Sequence, residues 1–262
     1  MDPLIQAGVA FITGAGSGLG QAMAIKFAEH GCTKLFLVDI AEKGLHTTQQ
    51  LIQQVSKSAQ VVLHVGDISN EEAVKSMVSA CVESYGRLDF AMNNAGIALG
   101  GIKTADMPLE MFDKICNINE KGMLKQEPLP IFPEGSFLDR GVRGSIVNTA
   151  SISGLVAMKE FPAYLSSKHA VAILTKQTAR EYAPYKIRIN AVCPGIVNTP
   201  GVEAAGLTKE FRSSLATQAP MNRWIHAAEV SESTVFLSSS RASAITGTNL
   251  PVDCGATLYH LV

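Results

Sequence analysis

Charged side chains are scarce in this sequence, where Asp, Glu, Lys and Arg make up 17 % of 262 residues, against roughly 25 % in an average soluble protein. Lys and Arg number 22 and Asp and Glu 23, with no run of basic residues. The resulting net charge of −1 gives no indication of a basic surface that would bind nucleic acid or an anionic membrane. We therefore predict a small-molecule partner, with neither nucleic acid nor membrane.

One stretch has no charge at all: 23 residues from Pro3 to Ile25, long enough to cross a bilayer. The stretch contains five glycines and several polar side chains, and it follows Asp2 instead of a basic segment. We therefore expect neither a signal peptide nor a membrane anchor.

The sequence also lacks any Cys-x-x-Cys pair, and its five cysteines are widely spaced and odd in number. This pattern indicates reduced thiols in a cytoplasmic protein. It also argues against structural zinc, and we predict no metal site.

Apolar residues are abundant at 47 %, and they form short runs that alternate with longer amphipathic stretches. Near-continuous apolar runs are typical of strands covered on both faces, hence of a parallel sheet. The predicted strands are 9–12, 35–38, 61–65, 88–92, 145–148, 187–192 and 250–252. The predicted helices are 19–30, 42–57, 70–85, 108–126, 162–182, 208–218 and 227–238.

This alternation predicts an α/β fold: one doubly wound domain over residues 1–262 with a seven-stranded parallel sheet. No repeat and no low-complexity linker divides the chain. Ser69 and Glu72 match a Ser-x-x-Glu capping box, which predicts the start of the third helix.

A glycine-rich turn, TGAGSGLG from Thr13 to Gly20, follows the first predicted strand and opens the first helix. Backbone N–H groups and the helix dipole can hold a pyrophosphate there. A strict Gly-x-Gly-x-x-Gly pattern fails, because its third glycine would fall on Leu19. A plain flexible turn is the alternative. The predicted cofactor contacts in this turn are Gly14, Ser17, Gly18, Leu19 and Gly20.

Asp39 ends the second predicted strand, 19 residues after Gly20, where a carboxylate can accept hydrogen bonds from an adenosine ribose. It would repel a 2′-phosphate, and neither Ser17 nor Ile40 supplies a compensating cation. NAD(H) is therefore the preferred cofactor and NADP(H) remains possible. Asp39 could instead cap a helix, and Asp67-Ile68 after the third strand could either cap the next helix or contact an adenine.

Tyr164 and Lys168 stand at i and i+4, on one face of a helix. A nearby ammonium favours the phenolate and lowers a phenol pKa, which allows proton exchange near neutral pH. Tyr182 and Lys186 have the same spacing, but Pro184 between them ends or kinks the helix. The first pair is therefore the better candidate.

These features together resemble the short-chain dehydrogenase/reductase family, from Gly8 to about Gly255. The resemblance implies a Rossmann-type fold. The family's Asn-Asn-Ala-Gly element after the fourth strand, which approaches adenosine, matches Asn93-Asn94-Ala95-Gly96, and the predicted cofactor contacts are Asn94, Ala95 and Gly96.

The family's serine lies 13 residues before its tyrosine, and Ser151 stands 13 residues before Tyr164. The same offset from Tyr182 falls on His169, which favours the first pair again. The family's helix asparagine matches Asn119. The family segment that holds the nicotinamide matches Pro194, Gly195, Ile196 or Val197, and Thr199. The family's Val-Asp-Gly-Gly matches 252–255, where Cys254 replaces a glycine, and we expect this change to affect packing only.

The resemblance implies hydride transfer between a nicotinamide and a secondary alcohol or ketone. Tyr164 would be the acid/base, and Ser151 would bind the substrate oxygen. Lys168 would lower the pKa of Tyr164 and hold the nicotinamide ribose, and Asn119 would anchor a water on a proton path. Taken alone, Ser151 could instead be a loop hydroxyl, Lys168 a solvated helix charge and Asn119 a helix-kink residue.

A predicted lid at 200–226, with Ile97, Met158 and Phe161, suggests an apolar substrate of secondary-metabolite, steroid-like or acyl type. Arg212 and Arg223 could instead bind an acidic group. The other functions that remain open are a dinucleotide-binding sensor or scaffold with little turnover, and a dehydratase or isomerase of the same family.

The chain departs from the family after Asn119. Helix can continue only to Gln126, because Pro128, Pro130 and Pro133 interrupt it, and residues 127–144 form an atypical insertion. Family members pair through this helix, so the expected homodimer or homotetramer is in doubt.

Overall fold

The computed structural model describes residues 4–5, 8–125, 141–204 and 219–259. Seven parallel strands form one sheet in the order β3-β2-β1-β4-β5-β6-β7, which confirms the predicted α/β fold. The strands are β1 (Val9–Thr13), β2 (Lys34–Asp39), β3 (Gln60–Val65), β4 (Phe90–Asn93), β5 (Gly144–Thr149), β6 (Ile187–Pro194) and β7 (Asn249–Val252).

Helices connect the strands near the predicted positions. They are α1 (Gly18–Glu29), α2 (Glu42–Val55), α3 (Glu71–Tyr85), α4 (Leu109–Cys116), α5 (Gly122–Lys125), α6 (Pro162–Tyr182), α7 (Pro200–Ala204) and α8 (Ala227–Ser238). A π-helical turn, Asn117–Lys121, joins α4 to α5. The predicted helix 208–218 and residues 127–140 of the predicted insertion lie outside the described residues.

Both faces of the sheet are covered, because alternate residues of each strand enter different apolar clusters. Ala10 and Ile12 pack with α1, α2 and α8, whereas Val9 and Phe11 pack with α3 and α6. All four side chains are at most 1 % exposed. A fully buried large apolar side chain contributes roughly 1.5–3 kcal/mol, so these two clusters fix the sheet between its helices.

The start of α3 differs from the prediction. Asn70 occupies the N-cap and its Oδ1 accepts a hydrogen bond from the Ala73 N–H at 2.9 Å. The Ser69 N–H is bonded instead to Asp67 Oδ1 at 2.8 Å. The predicted Ser69–Glu72 capping box is therefore wrong: a turn at Asp67 shifts the first helical residue to Glu71.

The uncharged N-terminal stretch forms part of the domain core, since β1, the glycine-rich turn and the start of α1 account for it from Gly8 onward. Among the described helices, none is both long and apolar enough to cross a membrane.

The sheet order places a crevice beside β1. From β1 the chain moves outward through β2 to β3, and it then returns to the other side of β1 as β4. Ligands of such sheets bind outside the carboxyl ends of the strands where the order reverses. Thr13, Asn93 and Thr149 end neighbouring strands at this edge.

Candidate active site

The glycine-rich turn joins β1 to α1 at this crevice. Ser17 is the N-cap of α1, and its side chain makes no capping hydrogen bond. The first N–H groups of a helix have no intrahelical partner, so those of Gly18, Leu19 and Gly20 can meet an anion. A Cβ atom on Gly20 would lie 2.1 Å from the Gly14 carbonyl oxygen. Only glycine at position 20 therefore lets the turn close so tightly.

Asp39 lies beside this turn, as the sequence predicts. Its Oδ2 accepts a hydrogen bond from the Gly16 N–H at 2.9 Å, and its Oδ1 accepts one from the Ala41 N–H at 2.9 Å. Ala41 is the N-cap of α2, so the carboxylate fixes both the turn and the approach to that helix. The structure thus gives Asp39 a local structural role at the place predicted for ribose.

Asp67 and Ile68 have local partners. Asp67 holds the turn before α3, as described above, so it does not cap that helix. Ile68 is 5 % exposed, and a Cβ atom on Gly122 would lie 2.9 Å from its Cδ1. Ile68 therefore packs against the start of α5.

Asn94 ties the ends of three strands together. Its Nδ2 donates to the Thr13 carbonyl oxygen at 3.0 Å, and its Oδ1 accepts from Thr149 Oγ1 at 3.2 Å. Thr13 Oγ1 in turn accepts from the N–H groups of Asn94 and Ala95, both at 3.1 Å. Sequence reasoning missed the roles of Thr13 and Thr149, because no local pattern signals a bond between residues so far apart in the chain.

Ser151, Tyr164 and Lys168 meet at the carboxyl edge of β5. Ser151 follows β5, whereas Tyr164 and Lys168 lie one turn apart on α6. The Ser151 and Tyr164 side chains are hydrogen-bonded to each other. Lys168 Nζ lies 5.8 Å from the Tyr164 ring centroid and donates to the Thr149 carbonyl oxygen at 2.7 Å. Three of the four predicted catalytic side chains therefore form one cluster.

Burial dominates the electrostatics of this cluster. It raises the pKa of Tyr164, which the hydrogen bond with Ser151 counteracts, and it lowers the pKa of Lys168 to about 8. Lys168 is 5 % exposed. The expectation that Lys168 lowers the Tyr164 pKa is therefore wrong for the protein without cofactor, because desolvation of the phenolate raises that pKa.

Cys193, on β6, lies behind this cluster and was not singled out from the sequence. Its sulfur accepts a hydrogen bond from the Ser151 backbone. Burial raises the pKa of the Cys193 thiol to about 11, so it stays protonated at neutral pH.

Asn119 lies in the π-helical turn and is 2 % exposed. Its Oδ1 accepts from the Ile97 N–H at 2.8 Å, and its Nδ2 donates to the Ile97 carbonyl oxygen at 2.9 Å and to Ser167 Oγ at 3.0 Å. A Cβ atom on Gly96 would lie 3.0 Å from Asn119 Oδ1 and 3.5 Å from Lys168 Nζ. Asn119 thus fixes the loop after β4 to α6, next to the lysine.

The second tyrosine–lysine pair does not form a comparable site. Tyr182 is the last residue of α6, and Lys186 follows a short 3-10 turn with a φ of 63°. The two side chains therefore do not share a helix face, as Pro184 predicts.

The predicted nicotinamide segment runs from the end of β6 toward the glycine-rich turn. Pro194 ends β6, and a Cβ atom on Gly195 would lie 2.9 Å from the Cα of Asp253. Val197 pairs with Ile225 in an isolated bridge. A Cβ atom on Gly18 would lie 3.5 Å from Thr199 Cβ, so Thr199 lies at the helix N-terminus that the turn opens.

The predicted lid is described only at its two ends. The Asn198 N–H donates to the Ile225 carbonyl oxygen at 3.2 Å, and the Ile225 N–H donates to the Ile196 carbonyl oxygen at 3.0 Å. These bonds hold the two ends of the segment together. Residues 205–218, which include Arg212, lie outside the described residues.

Apolar side chains lie next to Tyr164. The Phe161 ring meets the Tyr164 ring edge-on at 6.4 Å and packs on Gly100, where a Cβ atom would lie 2.1 Å from that ring. Ser153 Oγ donates to Met158 Sδ at 3.1 Å. Two of the three residues predicted to line the substrate pocket are therefore held in place close to the catalytic cluster.

The substitution of cysteine for glycine near the C-terminus affects more than packing. Cys254 has a φ of 54°, in the left-handed region that costs roughly 1–2 kcal/mol for an ordinary L-residue. The family's glycine would adopt it freely. The expectation of a packing change alone is therefore wrong, because the turn after β7 imposes a backbone conformation suited to glycine.

Clusters of His, Cys, Asp and Glu able to hold a metal ion were not found within the described ranges, and all five cysteines are free.

Known proteins resemble this chain over nearly its whole length. A family model described as enoyl-(acyl carrier protein) reductase matches residues 14–257. The chain is 37 % identical over 261 residues to a levodione reductase from Leifsonia aquatica, covering 96 % of this chain and 95 % of that protein. It is 32 % identical to 3beta-hydroxysteroid dehydrogenase 2 from Eggerthella lenta, covering 98 % of both.

Solved structures match over nearly the full length. A crystal structure of levodione reductase gives a TM-score of 0.90 at 35 % identity, covering 97 % of this chain and 98 % of that one. A structure of carveol dehydrogenase from Mycobacterium avium in complex with NAD gives a TM-score of 0.87 at 28 % identity, covering 96 % and 98 %.

Proposed function

This chain belongs to the short-chain dehydrogenase/reductase family, and from that premise we propose that it uses NAD(H) to interconvert an apolar secondary alcohol and its ketone. The broader activity, NAD(P)-dependent oxidoreduction of an alcohol or ketone, follows from its reductase and dehydrogenase relatives. The observation that carries the proposal is the contact of Ser151, Tyr164 and Lys168 at the crevice beside β1.

The described residues fit a dinucleotide. The uncapped N-terminus of α1 can bind the pyrophosphate, and Asp39 can accept hydrogen bonds from the adenosine ribose. Contacts to the rest of the cofactor would come from Asp67, Ile68, Asn94, Ala95, Gly96, Tyr164, Lys168, Pro194, Gly195, Val197 and Thr199. When bound, the nicotinamide supplies or accepts the hydride.

The protein residues handle the proton. In reduction, the Tyr164 phenol donates its proton to the substrate carbonyl oxygen, while the Ser151 hydroxyl donates a hydrogen bond to the same oxygen. In oxidation, the Tyr164 phenolate takes the proton from the substrate hydroxyl. The Lys168 ammonium stabilises that phenolate, and Asn119 is our candidate to anchor a water that returns protons from solvent.

An apolar substrate is supported by the side chains beside Tyr164. Phe161 and Met158 present a ring and a thioether, and Ile97 is held nearby by Asn119. Arg223, a candidate for an acidic group, instead pairs with Glu229 through two hydrogen bonds of 2.8 and 2.7 Å. That pair leaves Arg223 a poor partner for a substrate carboxylate. One matched relative is named for a hydroxysteroid.

A ketone panel tests this substrate class. With NADH present, we expect neutral cyclic ketones to be reduced at a kcat/KM at least tenfold above that of 2-oxo acids of similar size. The readout is loss of absorbance at the NADH band. Faster reduction of the 2-oxo acids would overturn the apolar assignment.

Asp39 is the residue on which the NAD(H) preference depends. A carboxylate repels a 2′-phosphate, so we expect the wild-type protein to bind NADH at least tenfold more tightly than NADPH. Asp39→Asn removes the charge but keeps an acceptor, and should reduce this ratio roughly tenfold. Asp39→Ala should also weaken binding of both cofactors, because Gly16 loses its acceptor. Fluorescence titration measures all six affinities, and tighter binding of NADPH by the wild type would contradict the preference.

We also propose a single domain, a cytoplasmic location and a homodimer or homotetramer. The single sheet and the five free cysteines support the first two. Light scattering of the purified protein tests the third, and a monomer would indicate that the predicted shortening of the helix after Asn119 has removed the family's usual pairing.

A further inference from the structure

Two residues of α2 are unusual for their positions in a helix. Gly44 lies in its first turn, where glycine is roughly 1 kcal/mol less favourable than alanine. Thr48 lies one turn later and is fully buried. Both face the glycine-rich turn: a Cβ atom on Gly44 would lie 2.6 Å from the carbonyl oxygen of Gly16 and 3.0 Å from its Cα.

Thr48 connects three segments through its hydroxyl. Its Oγ1 donates to the Ala15 carbonyl oxygen at 2.7 Å, with the Gly44 carbonyl oxygen a second acceptor at 3.1 Å. The same oxygen accepts from Gln21 Nε2, on α1, at 2.9 Å. If Thr48 served only its own helix, the bond to Gly44 would suffice. The shorter bond to Ala15 and the bond from Gln21, both outside α2, therefore indicate a role at the glycine-rich turn.

Hydrogen bonds and packing thereby hold the first half of the turn, Ala15 and Gly16, in place. The Ala15 N–H donates to the Val38 carbonyl oxygen at 3.0 Å, and its carbonyl oxygen accepts from Thr48. The Gly16 N–H donates to Asp39, and the Gly16 backbone rests on Gly44. The second half, from Ser17 onward, keeps its N–H groups free of a side-chain cap.

We propose that Gly44 and Thr48 are positioning residues for the dinucleotide: through them α2 fixes the glycine-rich turn in its binding conformation before the cofactor arrives. A site that is already ordered does not lose affinity to the ordering of a loop on binding. The inference rests on the proposed function, because it assigns the turn to the cofactor. It implies that α2, which carries no predicted cofactor contact, sets cofactor affinity.

Gly44→Ala is the sharper test, because helix propensity alone predicts a more stable helix with no loss of cofactor affinity, whereas the proposed role predicts weaker NADH binding. Alanine favours the helix, whereas its Cβ would displace the Gly16 backbone. We expect the Kd for NADH to rise at least tenfold, with little change in melting temperature and kcat unchanged at saturating cofactor. Lys43→Ala, at the exposed neighbouring position, is the matched control and should leave the Kd unchanged.

Thr48→Val provides a second test in the same assay. The loss of the hydroxyl leaves the Ala15 carbonyl oxygen and the Gln21 amide without this partner, and we expect the Kd for NADH to rise roughly fivefold to tenfold. Thr48→Ser should restore it. Thr47→Val is the control, because exposed Thr47 bonds, among the residues that the structure describes, only within its own helix, to the Lys43 carbonyl oxygen at 3.0 Å.

The outcomes separate this inference from the proposed function. If the wild type binds neither NADH nor NADPH, the proposed function fails. If the wild type binds NADH, and Gly44→Ala or Thr48→Val binds it within twofold of its control, the positioning role is refuted. Should Thr48→Val not fold, Gly44→Ala alone decides the question.

Discussion

Tyr164→Phe is expected to reduce kcat by roughly 10³-fold, within the range that general acid–base catalysis supplies, while leaving NADH affinity within twofold of the wild type. The substitution removes only the phenolic oxygen, the atom that we propose exchanges a proton with the substrate oxygen. The ring and its edge-on contact with Phe161 remain. The measurement is steady-state reduction of a neutral cyclic ketone beside an NADH titration.

Tyr182→Phe is the matched control for this variant. Tyr182 has the same spacing to a lysine, but it ends α6 and its ring lies 6.4 Å from that of Tyr185, away from Ser151. We expect wild-type turnover. Equal losses in the two variants, or a Tyr164→Phe variant that retains more than a tenth of wild-type kcat, would rule out Tyr164 as the acid/base.

Lys168→Met is expected to lose roughly 10²-fold in turnover and yet to be more stable at neutral pH. Burial lowers the pKa of Lys168 from 10.5 to about 8, so its charge costs about 3 kcal/mol of folding free energy below pH 8. Loss of the bond to Thr149 offsets about 1 kcal/mol. The expected net gain is about 2 kcal/mol in urea unfolding at pH 7.

The stability gained in Lys168→Met should also shrink as pH rises. Because the native pKa lies below the unfolded one, the unfolded chain binds more protons between pH 8 and 10.5, and wild-type stability rises relative to the variant across that window. The difference should therefore nearly vanish by pH 10. Lys176→Met, exposed on the same helix, should show no such trend. A variant less stable than the wild type at pH 7 would contradict the assigned cost of burial.

Local patterns sufficed for much of the fold. The apolar runs located all seven strands to within about two residues, because strands buried on both faces leave an uninterrupted signal. The spacing of Tyr164 and Lys168 predicted their shared helix face, and Pro184 separated this pair from Tyr182 and Lys186, which have the same spacing. Asp39 lies beside the glycine-rich turn, as its sequence distance from that turn predicted.

Features that depend on distant partners could not be obtained in this way. The bonds of Thr13, Thr149 and Thr48 join segments far apart in the chain, and a lone threonine carries no sign of them. The left-handed backbone of Cys254 is imposed by the turn after β7. The sequence showed only that a cysteine replaces the family's glycine at this position. The burial that raises the Tyr164 pKa likewise depends on packing.

Hydride transfer itself is tested most directly by isotope. The wild-type protein is incubated with a neutral cyclic ketone and NADH deuterated at the transferred C4 position, and the alcohol is examined by mass spectrometry and NMR. We predict one deuterium on the carbinol carbon and a proton from water on its oxygen. A product without deuterium at that carbon would indicate dehydratase or isomerase chemistry. Tight NADH binding with no product from any ketone in the panel would indicate a sensor, and either result would contradict the proposed function.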